Sequence, residues 1–194
     1  MILYFEMERG VSDKNILDEF AICFCQVLEK HVKYIVVSGF VVISHGRRRS
    51  TEDIDTIIEK IPFENFKALD KDLDKAGFHC LQSTKVEDIY DYLIKGDSVR
   101  YVWKNTFLPP EMEIKFVKDE IDEMQMRTRV KLSLTGLDIW FSSVEFNIAF
   151  KEELLKSDKD MEDAFHLRLI YKDEINETFI NEIKKMIKKL RVPK

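Results

Sequence analysis

The stretch Tyr34–Glu59, YIVVSGFVVISHGRRRSTEDIDTIIE, joins a β-branched run to a corner of small residues and then to two closely spaced aspartates. β-Branched residues favour strands, and a strand that ends at Ser38-Gly39 allows another group to approach the backbone closely. The stretch predicts three successive elements: strand Tyr34–Val37, short helix Phe40–Ser44 and strand Ile54–Glu59.

Asp53 and Asp55 are two residues apart at the start of the second predicted strand. Side chains at i and i+2 of a strand point to the same face, so the two carboxylates converge and repel each other unless a cation lies between them. Carboxylate oxygens are hard ligands that suit Mg²⁺, which usually also binds substrate phosphates. The alternative is an ordinary polar turn with Asp55 exposed. The preceding Ser38-Gly39 corner suits a triphosphate and favours the metal-site interpretation.

This stretch resembles the signature of the polymerase-β-type nucleotidyltransferase superfamily: a hydrophobic strand, a Gly-Gly or Gly-Ser corner, then Asp-x-Asp. It is most similar to minimal nucleotidyltransferases related to AbiEii-type abortive-infection toxins, which often carry Gly-Arg-x-Arg-Thr-x-Asp-x-Asp here. The matching residues are Gly46, Arg47, Arg49, Thr51, Asp53 and Asp55. Further on, SVEFNIAFK (Ser143–Lys151) and KDMED (Lys159–Asp163) resemble later motifs of the same group.

The resemblance implies a role for each matching residue. Lys151 is expected to bind the triphosphate, and Asp163 to support the active site as an acidic catalytic residue, with Asp160 a weaker match. Arg47 or Arg49 is expected to contact nucleotide phosphate or an acceptor, the alternative being a solvated loop. Ser38 and Gly39 are expected to cradle phosphate, although Ser38 replaces the usual first glycine. Its amide N–H remains available if the backbone torsion tolerates a Cβ.

The resemblance also implies a third carboxylate on a neighbouring strand. Glu111 and Glu113 alternate in EMEIKF and share a face. Glu113, flanked by apolar residues, is the expected metal ligand, with Glu111 as the alternative. The family usually has aspartate at this place, and the longer glutamate side chain reaches the same metal with less rigid geometry.

Composition limits the classes of protein that the chain can belong to. Its 194 residues are 45% hydrophobic and 35% charged, with a net charge of −5, so a strongly basic nucleic-acid coat protein is not expected. Cys23, Cys25 and Cys80 show no metal spacing, and Cys23 and Cys25 are expected to be reduced core residues. No signal peptide or membrane-spanning run is predicted, which favours the cytoplasm.

The remaining chain predicts α+β architecture: a nucleotidyltransferase-like small mixed sheet with flanking helices, followed by helices. We expect a core at 1–141 and a C-terminal helical region packed on it at 142–194. Thr135-Gly136 predicts a hairpin between Val130–Leu134 and Leu137–Phe141, and Ser142–Glu145 a helix capping box. The remaining predicted elements are helices Ser12–His31, Pro62–Ala76, Val86–Lys95, Lys118–Met126, Val144–Lys156, Asp160–Lys172 and Ile175–Leu190, and strands Phe78–Leu81, Val99–Lys104 and Glu111–Val117.

Three functions remain open from the sequence. The first is a nucleotidyltransferase in which Mg²⁺ or Mn²⁺, held by Asp53, Asp55 and Glu113, directs transfer of an NMP from an NTP. Its acceptor is an RNA 3′ end (tRNA included) or a protein hydroxyl, and a toxin or antitoxin partner protein follows from the resemblance. The second is a nucleotide-binding or partner-binding module without turnover. The third is a small-molecule nucleotidyltransferase of the aminoglycoside-modifying kind. Lys184, Lys185, Lys188 and Lys189 form either a solvated helix face or an RNA-guiding surface.

Overall fold

The computed structural model describes residues 15–48, 51, 53–104 and 110–192. Over these residues the chain is a mixed α+β protein with a five-stranded sheet, as the sequence predicts. The strands are β1 (Tyr34–Val37), β2 (Asp53–Ile58), β3 (Phe78–Cys80), β4 (Val99–Trp103) and β5 (Glu111–Phe116). The helices are α1 (Ile16–Leu28), α2 (Gly39–Ser44), α3 (Phe63–Lys75), α4 (Val86–Lys95), α5 (Glu120–Arg127), α6 (Val144–Phe150), α7 (Asp158–Ile170) and α8 (Glu177–Leu190).

The sheet has the order β1-β2-β5-β4-β3, and β2 and β5 are its one parallel pair among the described strands. Antiparallel pairing of β1 places Val37 opposite Asp55, and parallel pairing of β5 places Glu113 opposite Asp55 from the other side. Because side chains alternate along a strand, Asp53, Asp55 and Glu113 emerge on one face of the sheet.

The opposite face of the sheet carries the main hydrophobic core. Ile54, Met112 and Ile114 are fully buried there, in a cluster that also takes in apolar residues of α1, α3, α4 and the C-terminal helices. Among its aromatic contacts, Phe24 and Phe78 meet edge to face at 4.9 Å. On the acidic face, Met126 of α5 packs on Ile35 and Ile57, which leaves the carboxylate end of the strands uncovered by α5.

The C-terminal helices complete the fold on the acidic side. Helix α6 packs against α7 and α8, and it continues into one π-helical turn at Lys151–Leu155. Apolar residues of these helices, including Phe146, Leu167 and Ile183, belong to the same core cluster as the sheet residues. The division of the chain at residue 142 stays a prediction.

Several local predictions differ from the structure. Thr135-Gly136 does not form a hairpin: a 3₁₀ turn at Ser133–Thr135 intervenes, and one isolated bridge joins Val130 to Phe141. The buried hydroxyl of Thr135 closes this turn, since it donates to the carbonyl of Leu132 at 2.6 Å and accepts from the amide of Leu137 at 3.1 Å. The turn leaves Leu134 exposed, whereas a hairpin would place Leu134 on the same face as the buried Leu132. Phe141 instead extends the sheet edge through a bridge to Val36.

The capping box predicted at Ser142–Glu145 is also absent. Ser143 is the N-cap of α6, but its hydroxyl makes no capping hydrogen bond, while Ser142 donates to Gln125 at 2.8 Å. The predicted single helix Val144–Lys156 is instead α6 followed by the π-helical turn.

Two further differences concern the first helix. A capping box formed by Asn15 and Asp18 starts α1 at Ile16, and the predicted cap Ser12 lies outside the described residues. Cys23 is exposed, although Cys25 and Cys80 are buried, because α1 turns Cys23 away from its apolar stripe.

The described part of the chain contains no helix with both the length and the apolar character needed to cross a bilayer.

Candidate active site

Three carboxylates converge at the start of β2 and β5. One oxygen from each of Asp53, Asp55 and Glu113 lies within 4.8 Å of the others, and all three residues are half-buried. Thr51 donates a hydrogen bond to Oδ1 of Asp53 at 3.0 Å, which holds that carboxylate in place. An all-oxygen donor set of this size fits Mg²⁺ or Mn²⁺. Glu111, two residues before Glu113 on β5, lies opposite Asp53 and outside this cluster.

The electrostatics of Asp55 reflect this crowding. Burial raises the pKa of its carboxyl, and the neighbouring charge of Asp53 raises that pKa further, while Ser38 and Lys115 offset part of the rise. A raised pKa means that the site resists carrying full negative charge on its own, which is the behaviour expected where a cation supplies the balance.

Ser38 joins β1 to α2 in an unusual backbone conformation. Its φ is 64° and its ψ is −132°, a region that glycine populates readily and serine does not. The glycine of the family pattern would adopt this torsion without strain, so Ser38 carries a backbone cost beside Asp55. Gly39 follows as the first, buried residue of α2.

Lys151 and Asp163 form a buried ion pair. The Lys151 side chain is 1% exposed and that of Asp163 is fully buried, with Nζ 2.8 Å from Oδ2, and Asp160 lies 3.4 Å from the same ammonium. Lys151 begins the π-helical turn and lines the cavity that Asp55 also lines. The structure therefore brings Lys151 to the acidic site, with Asp163 as its partner.

Arg47 lies in the connection between α2 and β2, where it is held by α7. Its guanidinium contacts Asp163 and Glu162, each at 2.6 Å, and it does not line the cavity beside Asp55. Asp163 thus contacts both Arg47, in the loop that leads to Asp53, and Lys151, in the cavity wall. Arg49 lies outside the described residues.

Two cations near the carboxylates were missed by sequence reasoning. Arg100 of β4 lies opposite Glu113, and its Nε and Nη2 donate to Glu113 Oε2 at 3.2 and 3.1 Å. Lys115 of β5 lines the cavity with Asp55, and the described residues offer it no ion-pair partner. The alternation of EMEIKF, which places Lys115 on the face of Glu113, was the signal that could have found it.

The lysines of α8 are partly committed to ion pairs. Lys184 contacts Glu152 at 2.5 Å and Lys188 contacts Glu153 at 3.3 Å. These contacts remove two cations from the basic face that an RNA-guiding surface needs.

The fold has solved counterparts. The crystal structure of ANT(2″)-Ia, an aminoglycoside nucleotidyltransferase, in complex with adenylyl-2″-tobramycin matches 92% of this chain and 100% of its own, with a TM-score of 0.56 and 11% identity. The solution structure of the antibiotic-resistance factor ANT(2″)-Ia matches 89% of this chain and 91% of its own, with a TM-score of 0.52 and 11% identity. The conserved protein GrpB from Enterococcus faecalis overlaps less closely, with a TM-score of 0.40, 14% identity and coverage of 89% and 90%.

No protein-family model and no curated protein sequence matches the chain. At 11% identity, the similarity to ANT(2″)-Ia concerns the arrangement of the backbone. The chain has the nucleotidyltransferase fold, and the carboxylates of Asp53, Asp55 and Glu113 converge on one face of its sheet.

Proposed function

We propose that the protein is a metal-dependent nucleotidyltransferase that moves an NMP from an NTP to an acceptor hydroxyl. The observation that carries the proposal is the convergence of Asp53, Asp55 and Glu113 in a nucleotidyltransferase fold. A nucleotide-binding module without turnover explains this convergence less well, because Asp53 and Asp55 suffice to hold one cation with a nucleotide, whereas transfer makes use of the third carboxylate, Glu113.

Asp53, Asp55 and Glu113 hold the divalent cation in this proposal. A cation bound there would neutralise part of the triphosphate charge and would lower the pKa of the acceptor hydroxyl. Thr51 fixes the rotamer of Asp53, and the pairing of β2 with β5 fixes the distance between Asp55 and Glu113. These residues thus position oxygen ligands before substrate arrives, which is the preorganisation that catalysis of phosphoryl transfer requires.

Ser38, Gly39, Lys115 and Lys151 bind the triphosphate in this proposal. Lys115 is half-buried beside Asp55, so its charge is only partly screened by water. Lys151 contributes from the opposite wall, and Asp163 positions it together with Arg47. Asp163 is therefore proposed as a positioning residue that acts through these two cations.

The reaction that these residues serve is a single displacement. The acceptor oxygen bonds to the α-phosphorus, the bond from that phosphorus to the bridging oxygen breaks, and pyrophosphate leaves. The hydroxyl proton passes to a carboxylate of the site. No covalent intermediate with the protein is needed.

The acceptor is the open part of the proposal. An RNA 3′ end and a protein hydroxyl follow from the sequence resemblance to AbiEii-type proteins, and with them a toxin–antitoxin role. A small cationic acceptor is favoured by the fold likeness to ANT(2″)-Ia, whose crystal structure contains adenylyl-2″-tobramycin. The net charge of −5 and the partly neutralised α8 lysines favour the cationic acceptor over RNA.

The test is label transfer by the purified full chain. Each α-³²P-labelled NTP is incubated with Mg²⁺ or Mn²⁺ and, separately, total RNA, cell-extract protein and an aminoglycoside mixture. We expect one acceptor class to gain label with the wild type and not with the Asp53→Asn/Asp55→Asn double variant. Tight NTP binding without transfer to any of the three classes supports the binding module instead.

A further inference from the structure

A cavity of about 220 Å³ lies between the acidic face of the sheet and the helix α6 with its π-helical turn. Its sheet side includes Ser38, Asp55 and Lys115. Its helix side is largely apolar, with Phe146, Phe150 and Leu154 spaced four residues apart along one helical stripe. Because Asp55 belongs both to the carboxylate cluster and to the cavity wall, a group bound in the cavity lies next to the proposed metal site.

Asn147 is the unusual side chain in this wall. It is 4% exposed, and its Nδ2 donates to the carbonyl oxygens of Ser142 and Ser143 at 3.1 and 2.9 Å. Only the NH₂ group of an amide can face two carbonyls, so these bonds fix which end of the side chain is which. Within the described residues Oδ1 of Asn147 accepts no hydrogen bond, which leaves an acceptor to face the cavity.

Gln125, the other amide that lines this cavity, shows what a purely structural amide looks like. It is 3% exposed, and both ends of its side chain are used: Nε2 donates to Asp122 at 3.3 Å, and Oε1 accepts from Ser142 at 2.8 Å. Oδ1 of Asn147 is not among the fully enclosed unpaired polar atoms of the described chain, so it stays open to the cavity, where water can reach it. Asn147 therefore offers an acceptor without a protein partner that a ligand donor can take over from water.

Three cations line the cavity, and Lys115 is the one among them that forms no ion pair in the described chain. Lys151 is paired with Asp163, and Arg191 with Asp119 and Asp122, while Asp55 is the one carboxylate among the described lining residues. Lys115 therefore favours an anionic group at the sheet side of the cavity. Aromatic side chains beside an amide provide a flat apolar surface with one directional contact, which is how nucleobases are commonly bound. A polycationic acceptor meets like charge here, whereas an NTP brings its triphosphate to the lysines and its nucleoside to the apolar wall.

We propose that this cavity is the nucleoside subsite for the NTP, and that Oδ1 of Asn147 accepts a hydrogen bond from the nucleoside. This inference rests on the proposed nucleotidyltransferase function. The donor has two possible sources in a nucleotide, the exocyclic amino group of the base and a ribose hydroxyl. Asn147 is thus a specificity-determining residue for the choice of NTP.

The test compares analogues that lack one donor at a time. Binding of ATP, purine riboside triphosphate, 2′-deoxy-ATP and 3′-deoxy-ATP to the full chain is measured by calorimetry with Mn²⁺ and no acceptor, together with CTP, GTP and UTP. We expect one missing donor to weaken binding to the wild type about 3- to 10-fold, the range for a neutral hydrogen bond. The analogue that binds more weakly, the one without the amino group or one without a ribose hydroxyl, identifies the group that donates to Asn147.

The matched variants are Asn147→Leu and Gln26→Leu, the second at an exposed amide of α1 that does not line the cavity. Asn147→Leu is expected to bring the ratio between ATP and the discriminating analogue to about 1, while Gln26→Leu keeps the wild-type ratio, since a double-mutant cycle isolates the paired contact. If Asn147→Leu does not fold, the NMR chemical shift of the Asn147 side-chain amide is followed in the wild type instead. We expect the discriminating analogue to change this chemical shift less than ATP does.

Two results overturn the inference in different ways. Equal binding of all analogues, or a ratio unchanged by Asn147→Leu, removes Asn147 from nucleotide recognition and leaves the proposed function intact. Failure of the wild type to bind any NTP in the presence of metal overturns the proposed function, and this inference with it.

Discussion

The two faces of β2 and β5 have opposite chemistry, although their residues alternate along the same two short strands. Ile54, Met112 and Ile114 are fully buried on one face, and Asp53, Asp55 and Glu113 alternate with them on the other. Burial of the apolar face stabilises the fold, whereas the carboxylates repel one another, and burial raises the pKa of Asp55. Stability and proposed catalysis are therefore separated by the two-residue period of the strand, and substitutions on the two faces should have opposite effects.

The largest effect is expected on the apolar face. Ile114→Ala removes a fully buried side chain from the centre of the sheet and should lower the free energy of unfolding by about 2–5 kcal/mol. Urea denaturation checks this value. The matched control is Ile94→Ala on α4, where the side chain is 42% exposed and the change should be within about 0.5 kcal/mol. Equal losses for the two variants would contradict the stabilising role assigned to burial of Ile114.

On the acidic face, Glu113→Gln should disable transfer and leave the fold intact. The substitution keeps size and hydrogen bonding but removes a charge that holds the metal, so we expect a 10²- to 10³-fold fall in rate, about 3–4 kcal/mol in the barrier. Single-turnover label transfer measures it. Glu111→Gln, on the same strand and face but outside the cluster, is the control and should retain activity. The reverse pattern would make Glu111 the third ligand.

Asp55→Asn is expected to change stability by a smaller amount than Ile114→Ala and in the opposite direction. Because the pKa of Asp55 is raised in the folded protein, the folded state binds a proton more readily than the unfolded state, and stability falls as pH rises from the ordinary value of 3.8 through the raised pKa. Asn does not titrate, so the metal-free variant should melt at the same or a higher temperature near pH 7. Each 1 kcal/mol gained raises the midpoint by about 2–4 °C.

Thermal melts of the wild type and Asp55→Asn across pH 4–8 in chelator check this prediction, and the gain should shrink toward pH 4. Asp91→Asn, an exposed aspartate paired with Lys95 on α4, is the control. A variant that melts several degrees below the wild type would show that Asp55 is structural.

The smallest expected effect concerns Arg100. Its guanidinium donates to Glu113, a contact with which a bound cation would compete. An exposed pair of this kind is worth about 0.2–1 kcal/mol, so Arg100→Gln should raise the affinity for Mn²⁺ alone by about two- to fivefold at most. Calorimetry measures it against Lys95→Gln, which removes a paired surface cation far from the site. Weaker Mn²⁺ binding by Arg100→Gln would instead make Arg100 a support of the metal geometry.

Most of the fold could be predicted because its signals are local. The predicted strand Tyr34–Val37 and the predicted helix Val86–Lys95 form at the expected bounds, since a β-branched run and an apolar stripe closed by Gly96 each decide their own structure. The segment after Val130 could not be predicted in the same way. Its spacing of Leu132, Leu137 and Ile139 fits a hairpin, but Thr135 closes a 3₁₀ turn there and Phe141 pairs with the distant Val36.

The candidate site shows the same difference between local and non-local signals. Asp53 and Asp55 could be proposed from their spacing after the Ser38-Gly39 corner, and Glu113 from the resemblance. The partner of Lys151 and the contact of Arg100 depend on the sheet order β2-β5-β4 and on the packing of α7. Asn147 gave no signal at all. Its importance comes from one unpaired oxygen in a cavity wall, and a sequence records the residue but not its hydrogen bonds.

The parallel pairing of β2 with β5 also bears on how the protein folds. Asp55 and Glu113 are separated in sequence by α3, β3, α4 and β4, and non-local contacts of this kind slow folding because the intervening loop must be closed. The three proposed metal ligands therefore do not exist as a set before this pairing, and a nascent polypeptide whose β5 is still unsynthesised has only two of them. A cation that binds the proposed site would thus slow unfolding of the finished molecule without hastening its formation.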